Sequence, residues 1–171
     1  MNKIILILLS LILFGCSATG PVWVPQKLAD PSGALVVVYR YSQVGGGGGS
    51  WVSAKLQVNT NIIRKIPDNS FVAISVPVGD ISLSATPKLN LHYSSEHELK
   101  LIDKVSKGET AYFRLVSVFG SSCSVINSNI ANGEIASITY HPWSGGNQTT
   151  CFQRVPEAIA LEELHKLRRA E

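Results

Sequence analysis

From Ala34 to Val116 the chain falls into short runs in which apolar and polar residues alternate, and most runs end at Gly, Pro or Asn. A period of two puts successive side chains on opposite faces of a strand, so these runs specify half-buried strands and leave little room for helix. Ala54, Leu56 and Val58 oppose Lys55, Gln57 and Asn59, and a turn at Asn59-Thr60-Asn61 leads into a short strand over Ile62–Ile66. That is a hairpin pattern. Pro67-Asp68-Asn69 turns the chain into Phe71–Val76, with Val72, Ile74 and Val76 on one face. Pro77 to Asp80 turns it again, into Ile81, Leu83 and Ala85 alternating with Ser82 and Ser84. Leu99 and Leu101, set between Glu98, Lys100 and Asp103, give a further strand, and Ala111–Val116 gives another beyond the Lys107-Gly108 turn. Weaker strand patterns stand at Cys123–Ile126, Ile135–Tyr140 and Thr149–Arg154, while Lys88–Ser95 shows no clear period.

Two segments break the alternation. Ala34-Leu35-Val36-Val37-Val38-Tyr39-Arg40-Tyr41 is almost continuously apolar, as expected of a central strand buried on both faces at its start. The run Gly45 to Gly49 that follows cannot be ordered cheaply, because glycine loses the most backbone entropy on folding, and a flexible loop is expected. It lacks the Lys and Ser or Thr of a phosphate-cradling loop. At the other end, Pro156 suits a first helical position, and Ala160, Leu161, Leu164 and Leu167 form a stripe at helical spacing. Arg168 and Arg169 would complement the carboxyl end of that helix, and Glu162 with Lys166 would support it. The fold class expected is mainly β: a single antiparallel β-sandwich with one C-terminal amphipathic helix, spanning 34–171 around one core.

The amino end has a different logic. Met1-Asn2-Lys3 precedes an apolar run from Ile4 to Phe14, interrupted only by Ser10. About eleven residues at 1.5 Å rise cover roughly 16 Å, half of the ~30 Å that a spanning helix must cross. The run therefore reads as a signal peptide over residues 1–15. It closes in Leu13-Phe14-Gly15-Cys16, which resembles the bacterial lipobox; the resemblance implies cleavage before Cys16 and acylation of that cysteine. Two or three acyl chains anchor a protein effectively permanently, where one does so marginally. The absence of Asp after the cysteine, where Ser17 stands, points by the same resemblance to the outer membrane, on its periplasmic face. Residues 16–33, with Gly20, Pro21, Pro25 and Pro31 and no period, read as the lipidated end and a tether. About sixteen residues of tether would reach at most about 55 Å. The formal net charge of +3 falls to about +2 once Lys3 is removed, too weak and scattered to imply nucleic acid.

Of the three cysteines, Cys16 is claimed by the lipobox, which leaves Cys123 and Cys151 in an exported, oxidising compartment. A disulfide between them is expected. Closing a loop of about 28 residues is worth roughly 3.6 kcal/mol in the chain-entropy model. No histidine or further cysteine stands at metal-ligand spacing from either, and no cofactor is implied.

Val38-Tyr39-Arg40, Val76-Pro77-Val78-Gly79, Lys107-Gly108-Glu109-Thr110-Ala111-Tyr112-Phe113-Arg114 and the closing helix together resemble the family known as domain of unknown function 2846. Its members are small bacterial lipoproteins or exported proteins with a PEGA-like β-sandwich. The resemblance covers roughly 34–169. Asn59-Thr60 stands where the family tends to have Asp-Gly, and Val78-Gly79-Asp80-Ile81 replaces a Pro-Gly-basic-His turn, so a histidine is missing. The stretch Gly120 to Gln148 is longer than the family's usual loop.

The clusters of chemistry-bearing residue types are weak. His92, Glu96, His97 and Glu98 supply metal-binding residue types, but His97 and Glu98 would point to opposite faces of a strand and no His-Glu-x-x-His spacing occurs. Ser144-Gly145-Gly146 lies outside any strand-to-helix elbow, His141 beside Pro142 reads as a turn residue, and His165 reads as exposed. Trp51 and Trp143 flank glycine-rich loops, where aromatics on a rigid β scaffold can meet a glycan or a protein. The function expected is a lipid-anchored envelope lipoprotein acting as a non-catalytic binding or structural module for a protein or glycan partner. Alternatives are a subunit of a secretion or surface-appendage assembly that pairs through a strand edge, and a metal-dependent hydrolase built on the His92–Glu98 cluster.

Overall fold

The period-two runs become strands where they stand in the sequence. The computed structural model describes residues 20–26, 28, 30–41, 53–89, 92–93, 98–119, 135–140 and 148–170. The signal peptide with Cys16, the run Gly45 to Gly49, Trp51, the stretch 120–134 with Cys123, and Trp143 all lie outside the described residues. In chain order the strands are β1 (Ala34–Arg40), β2 (Ser53–Val58), β3 (Asn61–Pro67), β4 (Ser70–Val76), β5 (Gly79–Leu89) and β6 (His92–Tyr93). They continue as β7 (Leu99–Val105), β8 (Thr110–Phe119), β9 (Ile135–Tyr140) and β10 (Gln148–Val155). A single helix among the described residues, α1 (Glu157–Leu164), and a last short strand, β11 (Arg168–Arg169), follow.

The strands form two sheets. One has six strands in the order β11-β4-β1-β8-β10-β9; the other runs β3-β2-β5-β6, with β7 also paired to β5. Both sheets contribute to one apolar cluster: Val36 and Val38 of β1, Leu56 of β2, Leu83 of β5, Leu101 of β7, and Phe113 and Phe152 of β8 and β10 all belong to it. β3 runs beside β4 at one side of the fold, and β7 beside β9 and β10 at the other. The mainly-β class is as the alternation requires. Pairing is antiparallel except at two places, where β1 lies parallel to β8 and β11 parallel to β4. The β1–β8 pair follows from topology, since the whole five-stranded sheet intervenes in the chain and parallel neighbours need such a long crossover.

Turns supply the backbone that the strands need. Asn59 and Asn69 sit in the left-handed region with φ of 52° each, which asparagine tolerates. Gly79 opens β5 at φ 123° and Gly108 sits at 73° before β8; a side chain at either would be strained. A bulge between β2 and β3 near Lys55 and Leu56 restores a register in which Ile66 pairs with Ala54, so both point into the core.

The amino-terminal segment departs from a tether. Trp23 is only 8% exposed and meets Phe71 edge-on at 5.1 Å and Tyr112 at 6.5 Å. Its amide donates to the Leu167 carbonyl at 3.3 Å, and the Arg169 amide donates to the Pro21 carbonyl at 2.8 Å. A period-free segment still docks if one large aromatic in it finds a site, and Trp23 does so.

The helix also departs from expectation. It ends at Leu164, after which the Arg168 amide donates to the Asn69 carbonyl (3.2 Å) and that of Ala170 to Phe71 (2.8 Å). Arg168 and Arg169 therefore cover the edge of β4 and do not cap a helix. Edge pairing, which satisfies backbone groups on both chains, outweighs the helical propensity of this short stretch. Within α1 the buried positions are Ala160 and Leu164, with Leu167 buried beyond the helix, whereas Leu161 faces outward at 36% exposure.

Candidate functional site

The outer face of the six-stranded sheet, away from the other sheet, carries the densest polar chemistry among the described residues. In register across β4, β1, β8 and β10, Phe71, Tyr39, Arg114 and Gln153 stand side by side. The adjoining row, Val37, Tyr112 and Val155, is apolar but for the Tyr112 hydroxyl, which donates to Glu157 at 3.3 Å. α1 lies over both rows and brings Glu163 down onto the first. The Tyr39 hydroxyl donates to Glu163 Oε2 at 2.7 Å, and Arg114 Nε stands 3.3 Å from the same oxygen. The Tyr41 ring lies 5.6 Å from the Arg114 guanidinium and 5.9 Å from the Lys166 ammonium.

Burial governs the electrostatics here. The Arg114 side chain is 1% exposed and that of Glu163 12%, so each charge has given up most of its water. Removing solvent is costly unless charges are paired, and this pair has two neutral supports, the Tyr39 phenol and the Tyr41 π face. Burial, then the Glu163 carboxylate, pushes the Tyr39 phenol far above its ordinary range. Burial, then Glu157, pushes Tyr112 up to about 12. Burial draws Arg114 down, against the pull of Glu163. Arg114 Nε and Nη2, Gln153 Oε1 and Trp23 Nε1 are buried without a hydrogen-bond partner in the structure. The Arg114–Glu163 contact is thus an ion pair poorly aligned as a hydrogen bond. At neutral pH the phenols stay protonated and the guanidinium stays charged. The cluster holds the helix to the sheet.

A second charged group joins the sheets. Arg154 of β10 reaches both Asp103 oxygens of β7 with Nη1, at 3.0 and 3.1 Å, and contacts Glu109 with Nη2. Glu109 in turn accepts from the Ser106 amide at 2.6 Å, closing the turn before β8. At the end of β1, Arg40 pairs with Asp68 at 2.9 Å.

The residues singled out in the sequence are scattered or fall outside the described part. Cys151 lies in β10, buried and disulfide-bonded; its partner, expected to be Cys123, is outside the described residues. Of the acidic-histidine cluster, His92 starts β6 and Glu98 precedes β7, while Glu96 and His97 are not described. Glu98 is engaged with Lys100 at 3.1 Å, which draws its carboxyl below the usual value. His165 follows α1 and is exposed, and His141 and Ser144 lie outside the described residues. Among the described residues no group of three or more His, Cys, Asp or Glu side chains gathers as metal ligands, and no helix is long and apolar enough to cross a membrane. The Tyr39–Arg114–Glu163 cluster escaped sequence reasoning, although one signal was present. Arg114 interrupts an otherwise apolar strand, Ala111 to Val116, and a charge inside a buried strand requires a partner.

Comparison finds no matching family model, no curated protein of significantly similar sequence and no solved structure of significantly similar fold. The likeness to the domain of unknown function 2846 family therefore rests on the short motifs alone.

Proposed function

We propose that this chain is a lipid-anchored bacterial envelope lipoprotein whose β domain serves as a non-catalytic binding or structural module, held on the periplasmic face of the outer membrane. The observation that carries the reading is Leu13-Phe14-Gly15-Cys16, placed at the end of an apolar run too short to span a bilayer. Membership of the domain of unknown function 2846 family, a sandwich arrangement of the two sheets and a Cys123–Cys151 bridge belong to the same reading. Its polar clusters support a structural role, since the buried charges fasten one element of the domain to another.

The test is Cys16→Ser. The mature protein should carry acyl mass on its amino-terminal peptide, and the substitution should abolish it, releasing protein to the soluble fraction or leaving uncleaved precursor. Unchanged membrane retention of Cys16→Ser, or a mature amino terminus without acyl mass, refutes the anchor. Peptide mapping without reduction should join Cys123 to Cys151. Recovery of a peptide with Cys123 as a free thiol removes that bridge.

A further inference from the structure

One edge of the fold gathers exposed apolar and cationic groups at the point where the described chain begins. Val22 and Val24 are 50% and 56% exposed, on either side of the buried Trp23. Val22 bridges to Arg168, and Arg168, Arg169 and Lys166 are all exposed. We propose that this face rests directly on the headgroups of an anionic phospholipid leaflet. The proposal depends on acylation of Cys16 as read above.

Chain length carries the argument. Gly20 is fixed on the domain: a Cβ there would collide with the Arg169 carbonyl oxygen, and Arg168 Nη1 donates to the Gly20 carbonyl at 3.4 Å. Four residue steps separate Cys16 from Gly20, and at no more than ~3.6 Å each they reach about 14 Å. One headgroup layer takes up about 5–8 Å of that. The remainder is less than the ~10–12 Å diameter of one helix, so no further layer of protein fits between this edge and the lipid.

Surface chemistry agrees with the placement. Exposed valines beside prolines suit the boundary of headgroup and acyl chain, and exposed Arg and Lys meet lipid phosphates. The nearby acidic groups are partly committed elsewhere. Glu163 is held by Arg114 and Tyr39, and Asp68 by Arg40, which leaves Glu162 of α1 exposed and Asp30 bonded to Ser32. Ile102, 67% exposed on β7, lies at the opposite side of the fold, where β7 runs beside β9 and β10.

The experiment uses the processed, full-length lipoprotein in phosphatidylethanolamine vesicles, with and without phosphatidylglycerol, doped with nitroxide-labelled lipid. A fluorophore is placed on Val24→Cys or on Ile102→Cys. Quenching should be several-fold stronger at position 24 than at 102. A Gly/Ser insert between Thr19 and Gly20 should reduce it, and Arg168→Gln with Arg169→Gln should weaken it further only when phosphatidylglycerol is present. Equal, weak quenching at both positions in protein whose amino-terminal peptide carries acyl mass overturns the contact while leaving the anchor intact. Absence of acyl mass overturns both, and the mass measurement tells the two failures apart.

Discussion

Among the described residues the six-stranded sheet contributes to two apolar clusters, one shared with the second sheet and one with Trp23, α1 and Leu167, whereas the five-stranded sheet contributes only to the first. Their sequences differ accordingly. β1, Ala34–Arg40, is buried at every position, whereas β7, Leu99–Val105, buries Leu99, Leu101 and Val105 and exposes Lys100, Ile102 and Lys104. A strand with two buried faces needs something to roof its second face. Here that roof is a helix and an extended segment drawn from opposite ends of the chain, pinned by buried charge. The doubly covered sheet should therefore fail first when its roof is altered, and the singly covered one should tolerate change on its open side.

The largest effect is expected at Glu163. Glu163→Ala leaves the Arg114 guanidinium buried without its carboxylate, which should cost about 3–5 kcal/mol. Denaturant unfolding of the variant measures it. Replacing Arg114 and Glu163 together by apolar residues of similar size should recover much of the loss, and no recovery would mean that the cluster's worth lies outside the ion pair.

Next comes packing of the roof. Leu164→Ala should cost on the order of 2–5 kcal/mol, because Leu164 is fully buried and transfer and cavity terms add. Leu161→Ala and Ile102→Ala, at exposed positions, should stay within about ±0.5 kcal/mol. Equal midpoints for Leu164→Ala and Leu161→Ala in thermal melts would break the comparison.

A smaller, pH-limited effect belongs to the phenols under the roof. Tyr39 and Tyr112 keep their protons in the fold beyond the ordinary phenol value of 10.0. Below pH 10 folded and unfolded states are both protonated, and the phenols cost nothing. Above it the unfolded chain ionises first, so stability should fall with rising pH, for Tyr112 until about 12. Tyr39→Phe should flatten that fall when melting midpoints are followed from pH 9 upward, whatever its effect at neutral pH.

Where apolar and polar residues alternated, the strand was legible: β2, β4, β5 and β7 lie within a residue or two of where Leu56, Val72, Leu83 and Leu101 placed them, except that β5 runs on to Leu89. Continuous apolarity marked β1 as doubly buried but said nothing of what would cover it. Trp23 was illegible because a single residue has no period. Arg168 and Arg169 were misread because partnership with β4, nearly a hundred residues away in the chain, leaves no local trace. The parallel β1–β8 pair is hidden for the same reason. Tyr39, Arg114 and Glu163 come from three distant elements, and only the charge of Arg114 inside an apolar run announced that a partner must exist.

The clamp between Pro21–Trp23 and Leu167–Arg169 has a consequence for the order of assembly. A polypeptide made amino end first presents Trp23 early, yet one wall of the seat for that indole, Leu167, follows far downstream in the chain. Until then the edge of β4 that pairs with β11 is bare. Closing this clamp therefore waits for the chain to be present through Arg169.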